Sequence, residues 1–325
     1  MIVTRTPYRI SFVGGGTDFR DFYKDVPGLV VSTAIDKYMY ITVKHRFEDD
    51  FRVSYHKTEI KNKVRDIEHP IVRECLKLVG IKKGLEITSI GDVPAGTGLG
   101  SSSSFTVGLL NALFALQGIR KSAEDLASLA SKVEIDILKE PIGKQDQYIS
   151  AYGGIKKIQF NPDEGVAVKN IILKDGVLRD FKGNLLMFYT GHKRSASSIL
   201  HQQKNNCRRN KESLKALKEM AVRFYDCLMQ GNDLCLLGRI LHEGWLIKKG
   251  LASDISNSYI DGIYKDGLRA GAIGGKVLGA GGGGFILFYC PKKRQKDLRN
   301  SLKRLREFKF NFEPNGSKVV YTGGV

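Results

Sequence analysis

From Asp92 the chain reads DVPAGTGLGSSSSFTVGLLNALFAL, with Gly96, Gly98 and Gly100 at alternate positions, then four serines, then an apolar run. Glycine lets the backbone approach a ligand with no Cβ in the way, and serine hydroxyls add donors. With a helix over Ser103–Gln117, the loop feeds a first turn whose N–H groups lack intrahelical acceptors and carry the positive end of the macrodipole. The composite is an anion cradle, most naturally for the phosphates of a nucleotide. A plain turn with a serine cap accounts for one glycine and one serine, and leaves the others without a reason.

Two further glycine clusters stand far away in the chain: TPYRISFVGGGTDF (Thr6–Phe19) and KVLGAGGGGFILFY (Lys276–Tyr289). In the second of these, GAGGGG exceeds what any hairpin turn demands. The Walker pattern fails, because no lysine follows the glycines of the Asp92 stretch and Gly275-Lys276 is followed by Val277. Gly279, Gly281 and Gly284 satisfy G-x-G-x-x-G in form only. That segment reads strand–loop–strand, with no helix to receive a pyrophosphate, so a dehydrogenase drops out.

The elements that must carry these loops are mixed. Val3–Val13 alternates as a strand, GLVVSTAIDKYMYITVKH reads as a β-ribbon, and FRVSYH and LEITSIGDVP read as strands. HPIVRECLKLVG has helical spacing and a stop at Gly80, and Ser122 with Asp125 opens another helix. Arg194–Met229 reads as mostly helical, and GNLLMFYTG and GGFILFYC as buried strands. Phe105, Leu109, Leu113 and Leu116 form a core stripe, and Trp245 reads as core. Strict βαβα alternation is missing, so the expected class is α+β. At 325 residues the chain exceeds the roughly 250–300 that one core supports, and LKDGVLRDFKGN suggests a boundary near Arg179–Asn184.

Five scattered cysteines without a C-x-x-C pair argue for a reducing compartment, with cytoplasm as the expected location. No window reaches the ~18 apolar residues of a membrane span, and the N-terminus has no secretory pattern. The charge is the unusual total: 52 Lys+Arg against 34 Asp+Glu give +18. Anionic partners follow, although much of the excess lies on helices with solvated faces. The six histidines show no metal spacing, and HEGWL at His242 fails H-E-x-x-H.

P-x-x-x-G-L-G-S-S-S, Pro94 through Ser103, resembles the second signature of the GHMP kinases, which include galactokinase, homoserine kinase, mevalonate kinase and phosphomevalonate kinase. Thr6–Phe19 resembles their first motif and Lys276–Tyr289 their third, in the expected order and over nearly the whole chain. The resemblance implies an α+β, two-domain GHMP kinase fold. Residues 1–180 would form a ribosomal-protein-like N-terminal domain with the nucleotide loop. Residues 181–325 would form a ferredoxin-like α/β sandwich completing the substrate site. YRISFVGGGTDF, IGKQDQYISAYGG and HEGWLIKKGLASDISN are similar to the sugar 1-kinase branch, which phosphorylates D-glycero-D-manno-heptose 7-phosphate at its anomeric hydroxyl. Galactokinases carry E-H-T-D where Gly15-Gly16-Thr17-Asp18 stands here.

The resemblance also implies roles. Pro94, Gly96, Gly98, Leu99, Gly100, Ser101, Ser102 and Ser103 would bind ATP. Ser102 with Glu134 would hold Mg²⁺, with Asp136 and Glu140 as competitors for the carboxylate. Asp146 would be the general base and Arg9 the cation that stabilises charge in transfer. Gly16, Thr17 and Asp18 would meet the sugar, and Gly281, Gly282 and Gly283 would let the backbone pass close to it. A distal phosphate would need its own cation, with Arg194 leading, then Lys193, and Lys248 or Lys249 as substitutes. The expected partners are ATP and a small sugar phosphate, with no nucleic acid and no membrane, and a homodimer left open. A sibling kinase acting on an unphosphorylated sugar such as fucose is the nearer alternative. A nucleic-acid-binding protein is the remote one, disfavoured because no basic run interleaves with exposed aromatics.

Overall fold

The computed structural model describes residues 1–191 and 196–323. Twelve strands appear among them: β1 (Ile2–Val13), β2 (Gly28–His45), β3 (Phe51–Ser54), β4 (Thr58–Lys61), β5 (Leu85–Gly91), β6 (Ile155–Phe160), β7 (Val166–Asn170), β8 (Leu185–Tyr189), β9 (Gly274–Val277), β10 (Phe285–Tyr289), β11 (Arg306–Glu307) and β12 (Lys318–Thr322). They make two sheets. The first runs β12-β1-β2-β5-β3-β4, with β6 on the early half of β2 and β7 beyond it; the second runs β11-β8-β10-β9. Only β3–β5 is parallel. With helices set among antiparallel strands, the class is α+β, as the sequence indicates.

The stretch expected to be a β-ribbon is instead one 18-residue strand. Nothing between Gly28 and His45 supplies turn chemistry, so the chain runs straight through and changes partners instead. Its first half pairs β6 and its second half β5. Its register with β1 shifts twice, between Pro7 and Tyr8 and between Ser11 and Val13. These shifts bracket Arg9 and Ser11, and such irregularities re-aim side chains.

Helices fill the space beside the sheets. Pro70–Val79 stops at Gly80 in the left-handed conformation, φ +80°. The Ala123–Ser131 helix opens with a full capping box: Asp125 N–H donates to Ser122 Oγ at 3.0 Å, and Ser122 N–H to Asp125 Oδ2 at 3.2 Å. LKDGVLRDFKGN, the stretch that suggests a boundary, is helical over Asp175–Gly183, because Leu178 and Phe181 fall on one face and Phe181 is fully buried. Phe12 of β1 stacks on Phe224 at 5.5 Å and meets Phe181 edge-on at 5.3 Å. One core therefore draws on both sheets, with Trp245, Phe188 and Phe288 in it. A second core lies under the Ser101–Leu116 helix, around Leu109, Leu110 and Leu113.

Candidate active site

The Ser101–Leu116 helix starts from Gly100, in the left-handed conformation at φ +76°, and no side chain caps its first turn. Its free N–H groups are thus left to whatever occupies the loop. A Cβ on Gly100 would stand 3.1 Å from Arg9 Cγ and 3.2 Å from Asp146 Oδ2, so this glycine brings the loop against the ion pair behind it.

That pair is bidentate. Arg9 Nε donates to Asp146 Oδ1 at 2.7 Å and Nη2 to Oδ2 at 2.6 Å, while Nη1 donates to Gly98 O at 2.6 Å. The Arg9 backbone N–H donates to Leu99 O at 3.1 Å. First motif, second motif and Asp146 are thereby tied at one point. Asp18 is buried beside them, accepting the Gly16 N–H at 2.9 Å and the Gln145 N–H at 3.3 Å. Burial, more than the nearby Asp146 charge, raises the Asp18 carboxyl above the usual range. Gly15, Gly16, Asp18, Gln145 and Asp146 line a cleft, and Lys248 reaches into it from the Cys235–Lys249 helix. Lys248 is nearly buried and donates to Gly279 O; burial, then the Arg9 charge, lowers its ammonium to about 8.

Glu134 sits in a π-helical turn, Lys132–Ile137, of the kind often found at functional sites. Its carboxylate is wholly buried and receives Ser102 Oγ at 2.5 Å, Gln147 Nε2 at 2.6 Å and the Ser103 hydroxyl. Burial pushes this carboxyl up to about 7 against the lowering effect of those donors.

The third glycine run lies on the second. A Cβ on Gly98 would stand 2.4 Å from Leu278 O, one on Gly279 2.5 Å from Gly98 Cα, and one on Gly284 2.3 Å from Thr97 O. The glycines therefore permit backbone to lie on backbone. Gly279 and Ala280 reach the cleft. Gly281, expected at the substrate, packs on Ile255 instead, and the Gly282 N–H donates to Ile255 O at 2.9 Å; Gly283 follows outside the cleft lining. Thr17 is also turned away, its hydroxyl donating to Gly14 O at 2.7 Å and receiving the Leu29 N–H at 3.0 Å. It fixes the loop that presents Asp18.

Lys249, one of the expected phosphate cations, pairs with Asp261 at 2.7 Å, while Lys248 faces the cleft. Lys193 and Arg194 lie outside the described residues. Lys276 of the Gly275-Lys276 pair is buried and donates to Ser11 O at 2.8 Å and Phe12 O at 2.9 Å, joining β9 to β1. Its ammonium is pushed well below the usual range by burial.

Sequence reasoning missed a second cleft across the loop, where Pro94, Gly96, Ser101 and Ser102 meet Tyr55 and His69. His69 stacks on Phe105 at 4.9 Å and 18°, and Tyr55 meets His69 edge-on at 4.7 Å. Burial lowers the His69 ring below its usual pKa, which favours the neutral form. No motif surrounds these aromatics; Tyr55 follows β3, His69 caps the Pro70–Val79 helix and Phe105 lies on the Ser101–Leu116 helix, so only the tertiary packing brings them to the loop.

A two-sheet fold with an uncapped glycine–serine helix start beside a half-buried Arg–Asp pair offers the positioning and charge that phosphoryl transfer requires. The chain belongs to the GHMP kinases: the model of the GHMP kinases N terminal domain matches residues 67–154 and that of the GHMP kinases C terminal domain residues 213–306. It is 28% identical to a D-glycero-alpha-D-manno-heptose 7-phosphate kinase of Campylobacter jejuni over 98% of each chain. It is 26% identical to a galactokinase of Pyrococcus furiosus over 100% of this chain and 99% of that one. Among solved structures, a D-glycero-D-manno-heptose 1-phosphate kinase from Bacteroides thetaiotaomicron superposes with a TM-score of 0.81 at 23% identity, covering all of both chains, a likeness of fold. Among the described residues no helix is long and apolar enough to cross a membrane.

Proposed function

We propose that this chain transfers the γ-phosphoryl group of ATP to the anomeric hydroxyl of a sugar phosphate, with D-glycero-D-manno-heptose 7-phosphate as the leading acceptor. The observation that carries the reading is the Arg9–Asp146 pair, held between the cleft and the Gly98–Gly100 backbone. A carboxylate has about four lone-pair sites, and Arg9 takes two, so Asp146 keeps acceptor capacity for the proton of the attacking hydroxyl. As that O–H bond breaks, oxygen bonds to the γ-phosphorus and the bond to the departing ADP oxygen breaks. Arg9 balances the charge that builds up at the transfer point. Asp18 would accept hydrogen bonds from sugar hydroxyls. The aromatic cleft would take the nucleotide base, with the phosphates running along the loop onto the uncapped helix start.

The Ser102–Glu134 pair fits Mg²⁺: hard oxygens, one of them on a buried carboxylate that no cation neutralises in the contacts described above. Among the described residues no group of three or more His, Cys, Asp or Glu forms a metal cage. Mg²⁺ usually takes one or two carboxylates and completes its shell from substrate phosphates and water, so this sparse donor set suits it. When bound, the ion would neutralise phosphate charge during transfer. Below about pH 7 Glu134 holds a proton that the ion must displace. The Mg²⁺ concentration giving half-maximal activity is therefore expected to fall as pH rises through 7. Glu134→Gln is expected to raise that concentration about tenfold or more and to flatten its pH dependence. An unchanged requirement would remove Glu134 as a ligand.

The deciding test is ADP release with Mg·ATP across mannose, fucose, galactose, mannoheptose and the 6- or 7-phosphates of hexose and heptose. Turnover dominated by the heptose 7-phosphate is expected, and activity on an unphosphorylated sugar alone would discard the sugar-phosphate reading. Lys248, which lines the cleft, would be the cation that meets an acceptor phosphate. Lys248→Met is expected to raise KM for phosphorylated acceptors about 10- to 100-fold, the range for a charge-assisted hydrogen bond, and to spare unphosphorylated ones. Because its ammonium titrates near 8, wild-type KM for phosphorylated acceptors should rise as pH passes that value.

A further inference from the structure

The polar atoms lining the Asp146 cleft are unevenly satisfied. Arg9 directs its donors to Asp146 and Gly98, Asp18 takes two backbone N–H groups, and Lys248 donates to Gly279 O. Two buried atoms have no partner among the described residues. Ser11 Oγ and Gln203 Nε2 accept or donate no hydrogen bond there, although the residues are only 5% and 8% exposed and both line this cleft. They arrive on different elements, Ser11 from β1 and Gln203 from the Ala196–Asn205 helix, so no single local accident explains both. A buried amide or hydroxyl with no partner is costly, and each such group in a folded protein calls for a reason.

We propose that Ser11 and Gln203 read hydroxyl groups of the acceptor, and so set which polyhydroxylated substrate the enzyme accepts. This rests on the reading of the cleft as the acceptor site. A hydroxyl both donates and accepts. It can give its proton to Asp18 or Ser11 while its oxygen takes the Gln203 N–H. A phosphate oxygen bound in the same place could not donate to Asp18 and would be repelled by it. Phe19 and Leu200 supply apolar lining between these groups, as suits the carbon face of a sugar. Gln203 is thus a specificity-determining residue on the helix that covers the cleft, and Ser11 shares its strand with Arg9, two positions away.

The test separates a ligand-reading amide from a structural one. Gln203→Met keeps the length of the side chain and removes its polarity; Ser11→Ala removes only the hydroxyl. Four quantities are measured for each: thermal midpoint without ligand, KM for ATP, kcat and KM for the acceptor, and the midpoint shift on adding acceptor. D-glycero-D-manno-heptose 7-phosphate and mannose 6-phosphate serve as probes. The unliganded midpoint is expected to hold or rise in both variants, since an unpaired buried group has gone. KM for ATP should stay within twofold. Acceptor KM should rise about tenfold for Gln203→Met, the scale of one hydrogen bond, and the acceptor-induced midpoint shift should shrink with it. A lowered midpoint with unchanged acceptor KM would make these groups structural and overturn the proposal. So would variants that bind the probes as well as wild type. Wild-type protein that neither turns over nor is stabilised by any sugar of the panel would instead overturn the reading of the cleft itself.

Discussion

Asp146→Asn is expected to lower kcat at least about a hundredfold, the contribution of a positioned proton acceptor, while the protein still binds ATP. The amide is nearly the same shape but is a far weaker base, and it faces Arg9 with an N–H2 where a carboxylate oxygen had accepted. Arg9 is 4% exposed, so one of its donors is left unpaired in a buried place. Stability should therefore fall as well, and nucleotide binding and the thermal midpoint need measuring beside turnover. If kcat remains near that of wild type with the fold intact, Asp146 is not the base. If ATP binding is lost in step with kcat, its role is to hold Arg9 and the loop.

Gly98→Ala is expected to cost the fold about 3 kcal/mol or more, among the larger single-site effects. Two causes act at once. Gly98 has φ +86°, which costs a residue with a Cβ about 1–2 kcal/mol, and the new methyl would stand 2.4 Å from Leu278 O. Gly118→Ala isolates the first cause, because Gly118 has φ +73° and nothing within 4 Å of its added Cβ. Urea unfolding of both variants should show Gly98→Ala clearly the worse, with activity lost at the same site. Equal losses would mean that contact between the two glycine runs contributes nothing beyond backbone conformation.

The parts of the site legible in the sequence are those whose chemistry is local. Glycines and serines in a row announce a loop and a helix start whatever surrounds them, and Asp146 and Arg9 sit inside short, recognisable segments. The purpose of the third glycine run is not legible: Gly279 meets Gly98 from more than half the chain away, and nothing near either residue says so. Lys248 stands only as a substitute in the sequence, because a chain with 52 Lys+Arg offers many equivalent cations and only its place in the cleft distinguishes this one. Gln203 left no trace at all, since an unpaired amide is defined by what fails to surround it. In the fold, pattern alone cannot tell one long strand from two short ones, so β2 is not legible as a single strand. The Asp175–Gly183 helix is not legible either, because one buried phenylalanine anchors a largely polar stretch. We propose that the chain divides near residue 180 into two units, each built on one sheet, with β12 returning to complete the first.

The placement of β12 bears on how such a division is reached during synthesis. This strand borders β1, pairing Ile2 with Thr322 and Arg5 with Lys318, yet it is translated only after the entire second sheet. While the ribosome is still at work, the outer edge of β1 has no neighbour, and an unprotected edge invites pairing with other chains. The nascent protein therefore passes through an interval in which β1 waits for β12. A shortened transcript that stops before Lys318 would make that interval permanent, yielding a product prone to aggregate even though every residue proposed for phosphoryl transfer had been made.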